Sequence, residues 1–156
     1  MVHGPDGRPL PVLYRIDPSE AVRIEGRMRD HVNNLRAGAG APPLVLRPEL
    51  TAAAAAHARD MAARNRVSHV GSDGSLPVAR AAAAGYRGTV LGETIAETYQ
   101  GEDATITAWM GRADTRDAII DPRARDLGVA FHQDPDGKVW WALVLGDGGS
   151  GTPPGG

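Results

Sequence analysis

Near its C-terminal end the chain reads KVWWALVLG, and the adjacent pair Trp140 and Trp141 constrains the fold more than any other feature. Successive side chains of a strand point to opposite faces of a sheet. Two of the largest apolar side chains must therefore both find cover, one above the sheet and one below it. A small sheet with helices on both sides meets that demand. Just upstream, LGVAFHQ reads as a second strand, and the DPDG between the two carries Pro135 and Gly137 where a tight turn with a bulge needs them. The pair predicts an antiparallel hairpin.

Helical signals fill most of what precedes it. DPSE places Asp17 at an N-cap, Pro18 at the first helical position and Glu20 at the capping-box position, predicting a helix to about Arg36. Ile24, Met28 and Leu35 form its apolar stripe with His31 interleaved, and Gly38 and Gly40 stop it. A second helix opens at Pro48 and runs through ELTAAAAAHARDMAARN, where five consecutive alanines allow close approach of whatever packs beside them. Leu50, Ala54, His57 and Met61 fall on one face, so His57 points inward and Arg59 outward. A shorter helix, LPVARAAAAG, is closed by Gly85, and EDATITAWMGR spaces Ile106 and Met110 as a further one. In YRGTVLGETIAETYQ the first part reads as a strand, and the rest stays open between strand and loop. The expected organisation is an arm over residues 1–16, one domain over 17–145, and a disordered Gly- and Pro-rich tail over 146–156.

Bulk properties remove several functions. A formal charge of −2 with acids and bases intermixed offers no cationic surface to nucleic acid or anionic lipid. The absence of cysteine excludes a thiol nucleophile, disulfides and a thiolate metal site. No apolar run is long enough to span a membrane, and MVHGPDGRPLPVLYR lacks the apolar core of a signal peptide. The expectation is a soluble, monomeric domain without membrane insertion.

Chemistry concentrates in a few residues. His69 sits among turn-formers in VSHVGSDGS, directly after the alanine-rich helix, and reads either as a solvated loop histidine or as part of a site. Its most plausible partner is Glu93 in LGETIA, since an imidazole and a carboxylate together hold a cation or move a proton. His31 and His57 each interrupt an apolar stripe and read as hydrogen-bonded core histidines, and His132 as exposed beside the hairpin turn. His57 and His69 lie 12 apart, so the helical i, i+4 zinc pair is absent. Ser68, Ser72 and Ser75 surround His69 without a GxSxG elbow, and neither a P-loop nor GxGxxG occurs.

The ordered blocks VNNLRAGAGAPPL, LTAAAAAHARDMAARNRVSHVGSDGS, AAGYRGTVLGETIA, AWMGRADTRDAIIDPRARDLGVA and GKVWWALVLG resemble those of bacterial CAP domains, the superfamily of cysteine-rich secretory proteins, antigen 5 and pathogenesis-related proteins. The resemblance covers roughly residues 20–145. It implies an α+β fold, a three-layer α-β-α sandwich around a small, mainly antiparallel sheet, and export to the periplasm, envelope or medium. It also implies a central cleft whose histidines and glutamates bind a divalent metal, commonly zinc, in some members. His69 matches the histidine of the SHxGSDGS block, and Glu93 the glutamate of GEN, with Thr94 in place of the asparagine. The second cleft histidine, expected in a W…SPxHR block, is replaced by Thr115 in WMGRADTR, with Arg112 in place of the serine and Arg116 retained.

That departure leaves only His69 and Glu93 as carried-over ligands, whereas a catalytic zinc site has three protein ligands and an open position. Threonine is a poor zinc ligand and no general base. Asp114, Glu97 or a core histidine stand as possible third donors, and Arg112 or Arg116 as partners for a carboxylate in a metal-free pocket. The leading expectation is an exported, non-enzymatic binding module whose cleft (His69, Glu93, Thr94, Thr115, Arg116) holds a small ligand or an envelope partner. The alternatives are a divalent-metal-dependent hydrolase or protease using His69 and Glu93, with zinc as cofactor, and a purely structural polar core.

Overall fold

The structure, a computed structural model, describes residues 15–148; the expected arm up to residue 14 and the tail from 149 lie outside the described residues. Among the described residues five α-helices and four strands follow one another as α1 (Ala21–Gly38), β1 (Val45–Leu46), α2 (Pro48–Arg64), α3 (Pro77–Ala83), β2 (Val90–Thr98), α4 (Glu102–Met110), α5 (Ala113–Ile119), β3 (Asp126–Gln133) and β4 (Val139–Gly146). The sheet order is β1-β3-β4-β2, with β4 antiparallel to both its neighbours and only the two-residue β1 parallel to β3.

The tryptophan argument explains the layers. On one face Trp141, Leu143 and Leu145 of β4 pack with Ile24, Met28 and Val32 of α1, Ile106 and Trp109 of α4 and Ile119 of α5. On the other, Trp140, Ala142 and Val144 pack with Leu50, Ala54 and Met61 of α2 and Ala81 of α3. Both tryptophans are completely buried. The hairpin turn closes where expected, with Asp134 and Lys138 paired and Gly137 at φ 102°. Backbone contact is closest at Gly128 of β3, where a Cβ would collide with the Leu50 backbone. That glycine and the alanines of α2 let the helix settle directly on the sheet.

Several local expectations change. Asp17 does accept from Ser19 N, but it caps a 3₁₀ turn over Pro18–Glu20, and Glu20 makes no capping box. The buried stripe of α1 is Ile24, Met28, Val32 and Arg36, an i, i+4 series, while Leu35 is only partly buried. His31 is not a core residue: it lies beside that stripe, about one-third exposed, 3.3 Å from Asp103. The strand in YRGTVLGETIAETYQ occupies its later part, Val90–Thr98, because the preceding residues close α3 through Gly85 and Tyr86 N–H bonds to Ala82 and Ala81 carbonyls. β4 reaches Gly146, and Asp147 exchanges two hydrogen bonds with Thr89.

Two buried polar clusters fasten the layers. The Arg36 guanidinium, fully buried, donates to the carbonyls of Pro42, Ile119, Asp121 and Ala124, tying α1 to the segment after α5. Buried Asp126 accepts from Arg47 and from Tyr86, whose hydroxyl pKa rises through burial and this carboxylate.

Candidate functional site

Glu93 stands on the edge strand β2, on the alanine-rich face of the sheet, opposite Val144 of β4. Its side chain is 2% exposed, so a charged carboxylate there needs counter-charge and hydrogen bonds from the protein. It receives both. Oε1 accepts from His69 Nδ1 at 2.9 Å, and Oε2 accepts from Arg80 Nη2 at 2.8 Å. His57 Nε2 lies 3.9 Å from Oε1.

Each partner is held by local structure. α2 ends at Asn65, whose left-handed φ of 50° turns the chain into the segment 66–76. Three α2 residues spaced i, i+3, i+7 then tether that segment. His57 Nε2 donates to the Ser68 carbonyl at 2.6 Å, Asp60 accepts from Ser72 N and Oγ, and Arg64 donates to the Val70 carbonyl. His69 is thereby presented over β2. Arg80, on α3, is fixed from its other side by Nη1 donating to the Ser75 carbonyl.

The tautomers follow from the partners. A carboxylate and a carbonyl only accept, so His69 carries its proton on Nδ1 and His57 on Nε2. His69, 56% exposed, leaves its Nε2 without a partner among the described residues. Burial lowers the His57 pKa, against the pull of the nearby Glu93 carboxylate and with the push of Arg80. Neutral His57 thus contributes stability in full above its unfolded pKa of about 6.5, and this is lost as the pH falls below that value.

The remaining candidates go elsewhere. Thr94 is no cleft residue: strand alternation turns it away from Glu93, opposite Leu143, where its hydroxyl is buried without a partner. Thr115 donates to the Trp109 and Arg112 carbonyls, and Arg116 pairs with Asp117; neither reaches the Glu93 carboxylate. Their helix α5 packs through Ala118 on Gly92, on the opposite side of β2 from Glu93. Arg112 pairs with Asp114, and Glu97 with Lys138. Arg80 was missed by sequence reasoning; its signal was an arginine on an otherwise alanine-rich helix directly after the histidine loop.

Beside the cluster, a slot of about 420 Å³ runs between α2 and α3. Its walls are alanines of both helices, and its polar end includes His57, Asp60, Ser72 and Arg80. A second hollow of about 530 Å³, bordered by Ile16, Ala55 and Phe131, lies apart from Glu93.

The donor set does not fit a zinc ion. One carboxylate oxygen is occupied by the Arg80 guanidinium and His57 Nε2 by the Ser68 carbonyl, which leaves His69 Nε2 as the exposed ring nitrogen of the cluster. Among the described residues no three His, Asp or Glu side chains are arranged to hold a metal. Nor is any described helix long and apolar enough to cross a membrane.

Comparison with known proteins places this geometry in context. The model of the cysteine-rich secretory protein family, CAP, matches residues 29–145. Among solved structures, an extracellular SCP-domain protein of Bacillus anthracis superposes with a TM-score of 0.75 at 18% identity, over 85% of this chain and 44% of that one. An outer surface protein of Borrelia burgdorferi gives 0.70 at 16% identity, over 87% of this chain and 98% of that one. A cysteine-rich secretory protein of Staphylococcus aureus gives 0.65 at 12% identity, over 86% and 41%. The chain thus spans less than half of the first and third of these proteins. No curated protein matches it by sequence.

Proposed function

From the premise that the chain belongs to the cysteine-rich secretory protein (CAP) family, we propose that it is an exported binding module that holds a small ligand or an envelope partner at the Glu93 cluster and the adjoining slot. The observation that carries this reading is the saturated carboxylate: Glu93 is engaged by His69 and Arg80, so the cluster is a rigid, preformed polar surface with His69 Nε2 as its exposed ring nitrogen. Preorganisation of this kind lowers the ordering cost of binding. Export is supported by the extracellular and surface origin of the structural neighbours.

The His69–Glu93 pair also favours a second reading, since a carboxylate that orients an imidazole is the arrangement of a general base. Among the serines around His69, Ser72 Oγ is turned to Asp60 at 2.6 Å, and Ser68 Oγ accepts from Val70 N. The binding reading is tested by thermal-shift screening of envelope small molecules against chelator-treated protein, with His69→Ala alongside. A ligand that raises the melting temperature of the wild type and not of His69→Ala is expected. Shifts of equal size in both proteins, or none in either, contradict it.

A further inference from the structure

We infer that the trough between α1 and α2, apart from the Glu93 cluster, is a second binding site, for a small organic ammonium ion whose apolar body fills the hollow and whose charged head meets Glu25. It stands independently of the Glu93 reading.

Three features of the geometry carry it. The first is room. The hollow of about 530 Å³ beside Ile16, Ala55 and Phe131 and a smaller one of about 380 Å³ beside Leu46 and Pro48 share Glu25, Thr51 and Ala55, so the two adjoin along one side of α2. The larger alone falls within the roughly 300–1,000 Å³ of small-molecule sites, and most of its wall is apolar.

The second is an unanswered charge. Glu25 is partly buried where the hollows meet and has no hydrogen-bond or ion-pair partner among the described residues. Desolvation raises its carboxyl pKa above the usual glutamate value, and no neighbouring cation offsets that cost. The arginines that border the trough are turned to other acids: Arg47 donates to Asp126, and the charge of Arg15 acts on Asp136. His132, at the rim, pairs with Asp134. The third feature is a free hydroxyl, since the Thr51 side chain makes no hydrogen bond among the described residues. An ammonium group has three donors and no acceptor, so a carboxylate and a hydroxyl oxygen suit it, whereas an anionic ligand would be repelled by Glu25. The protein itself neutralises Glu93, through His69 and Arg80; at Glu25 it leaves that to a ligand.

The test is a titration of the full chain with phenethylamine, followed by proton–nitrogen correlation NMR, beside the neutral analogue phenethyl alcohol and the anion hydrocinnamate. Wild type and Glu25→Gln are compared, and both are unfolded in urea. Phenethylamine is expected to give saturable shifts of the Glu25, Thr51 and Ala55 amides, with the alcohol and the anion binding at least roughly tenfold more weakly. Glu25→Gln is expected to bind the amine at least roughly tenfold more weakly than wild type. An unpartnered, partly buried carboxylate adds nothing to the fold, so the urea midpoint of Glu25→Gln should be no lower than that of the wild type. No saturable shift at these residues, equal affinity for amine and alcohol, or amine binding undiminished in Glu25→Gln would each overturn the inference. A lower midpoint for Glu25→Gln, or its failure to fold, would assign the carboxylate a structural role and overturn it as well. The thermal-shift screen against His69→Ala reads the other site, so each reading can fail alone.

Discussion

The two faces of the sheet are built from different materials. Over Trp141 the space is filled by large side chains from α1, α4 and α5, and the buried guanidinium there, Arg36, is satisfied by main-chain carbonyls. Over Trp140 it is filled largely by alanines of α2 and α3, and at its edge the Glu93 carboxylate is held by the side chains of His69 and Arg80, while His57 and Arg80 also donate to the Ser68 and Ser75 carbonyls. Main-chain partners do not titrate and lead nowhere; side-chain partners do, and here one of them emerges at the surface. Small residues bring the helices close to the sheet and leave a slot where a larger core residue would have filled the space. The first face holds the fold, and the second can afford a site.

If that contrast is right, damage to the first face costs more. Arg36→Met keeps much of the volume and strands several buried carbonyls, so urea unfolding should show a loss of about 3 kcal/mol. A loss below about 1 kcal/mol would mean that water replaces the guanidinium. The second face should be sensitive to size only where the helix touches the sheet. Ala54, fully buried, has no room for leucine, and Ala54→Leu should cost about 1–3 kcal/mol. Ala56, exposed on the slot wall, should accept leucine within about 0.5 kcal/mol. Equal costs at the two positions would remove the distinction between the packed and the open side of α2.

Much of this division was legible in the sequence, and the reason differs by residue. Trp140 and Trp141 required two covered faces, because strand alternation is strict. Leu50, Ala54, His57 and Met61 marked the buried face of α2, because helical spacing is equally strict over about three turns. The limits of β2 were less visible, since an edge strand that bears Glu93 and Ile95 toward one face and Thr94 and Ala96 toward the other shows no clean polar alternation. Arg36 continued the i, i+4 series of Ile24, Met28 and Val32, yet charge hid it as a core residue. At the site, family resemblance pointed to His69 and Glu93, but also to Thr94, Thr115 and Arg116, which the fold directs elsewhere. Arg80 could not be paired with Glu93 from spacing, because local periodicity assigns a residue to a helix face and says nothing about which strand that face will meet.

The most direct test of the central claim, that Glu93 and its partners form a preorganised, metal-free cluster, is to read the imidazole tautomers by long-range proton–nitrogen correlation NMR. The geometry predicts His69 protonated at Nδ1 and His57 at Nε2, with neither pattern altered by chelator or by added zinc. A His69 ring protonated at Nε2, or a change in either ring on adding zinc, would contradict the account.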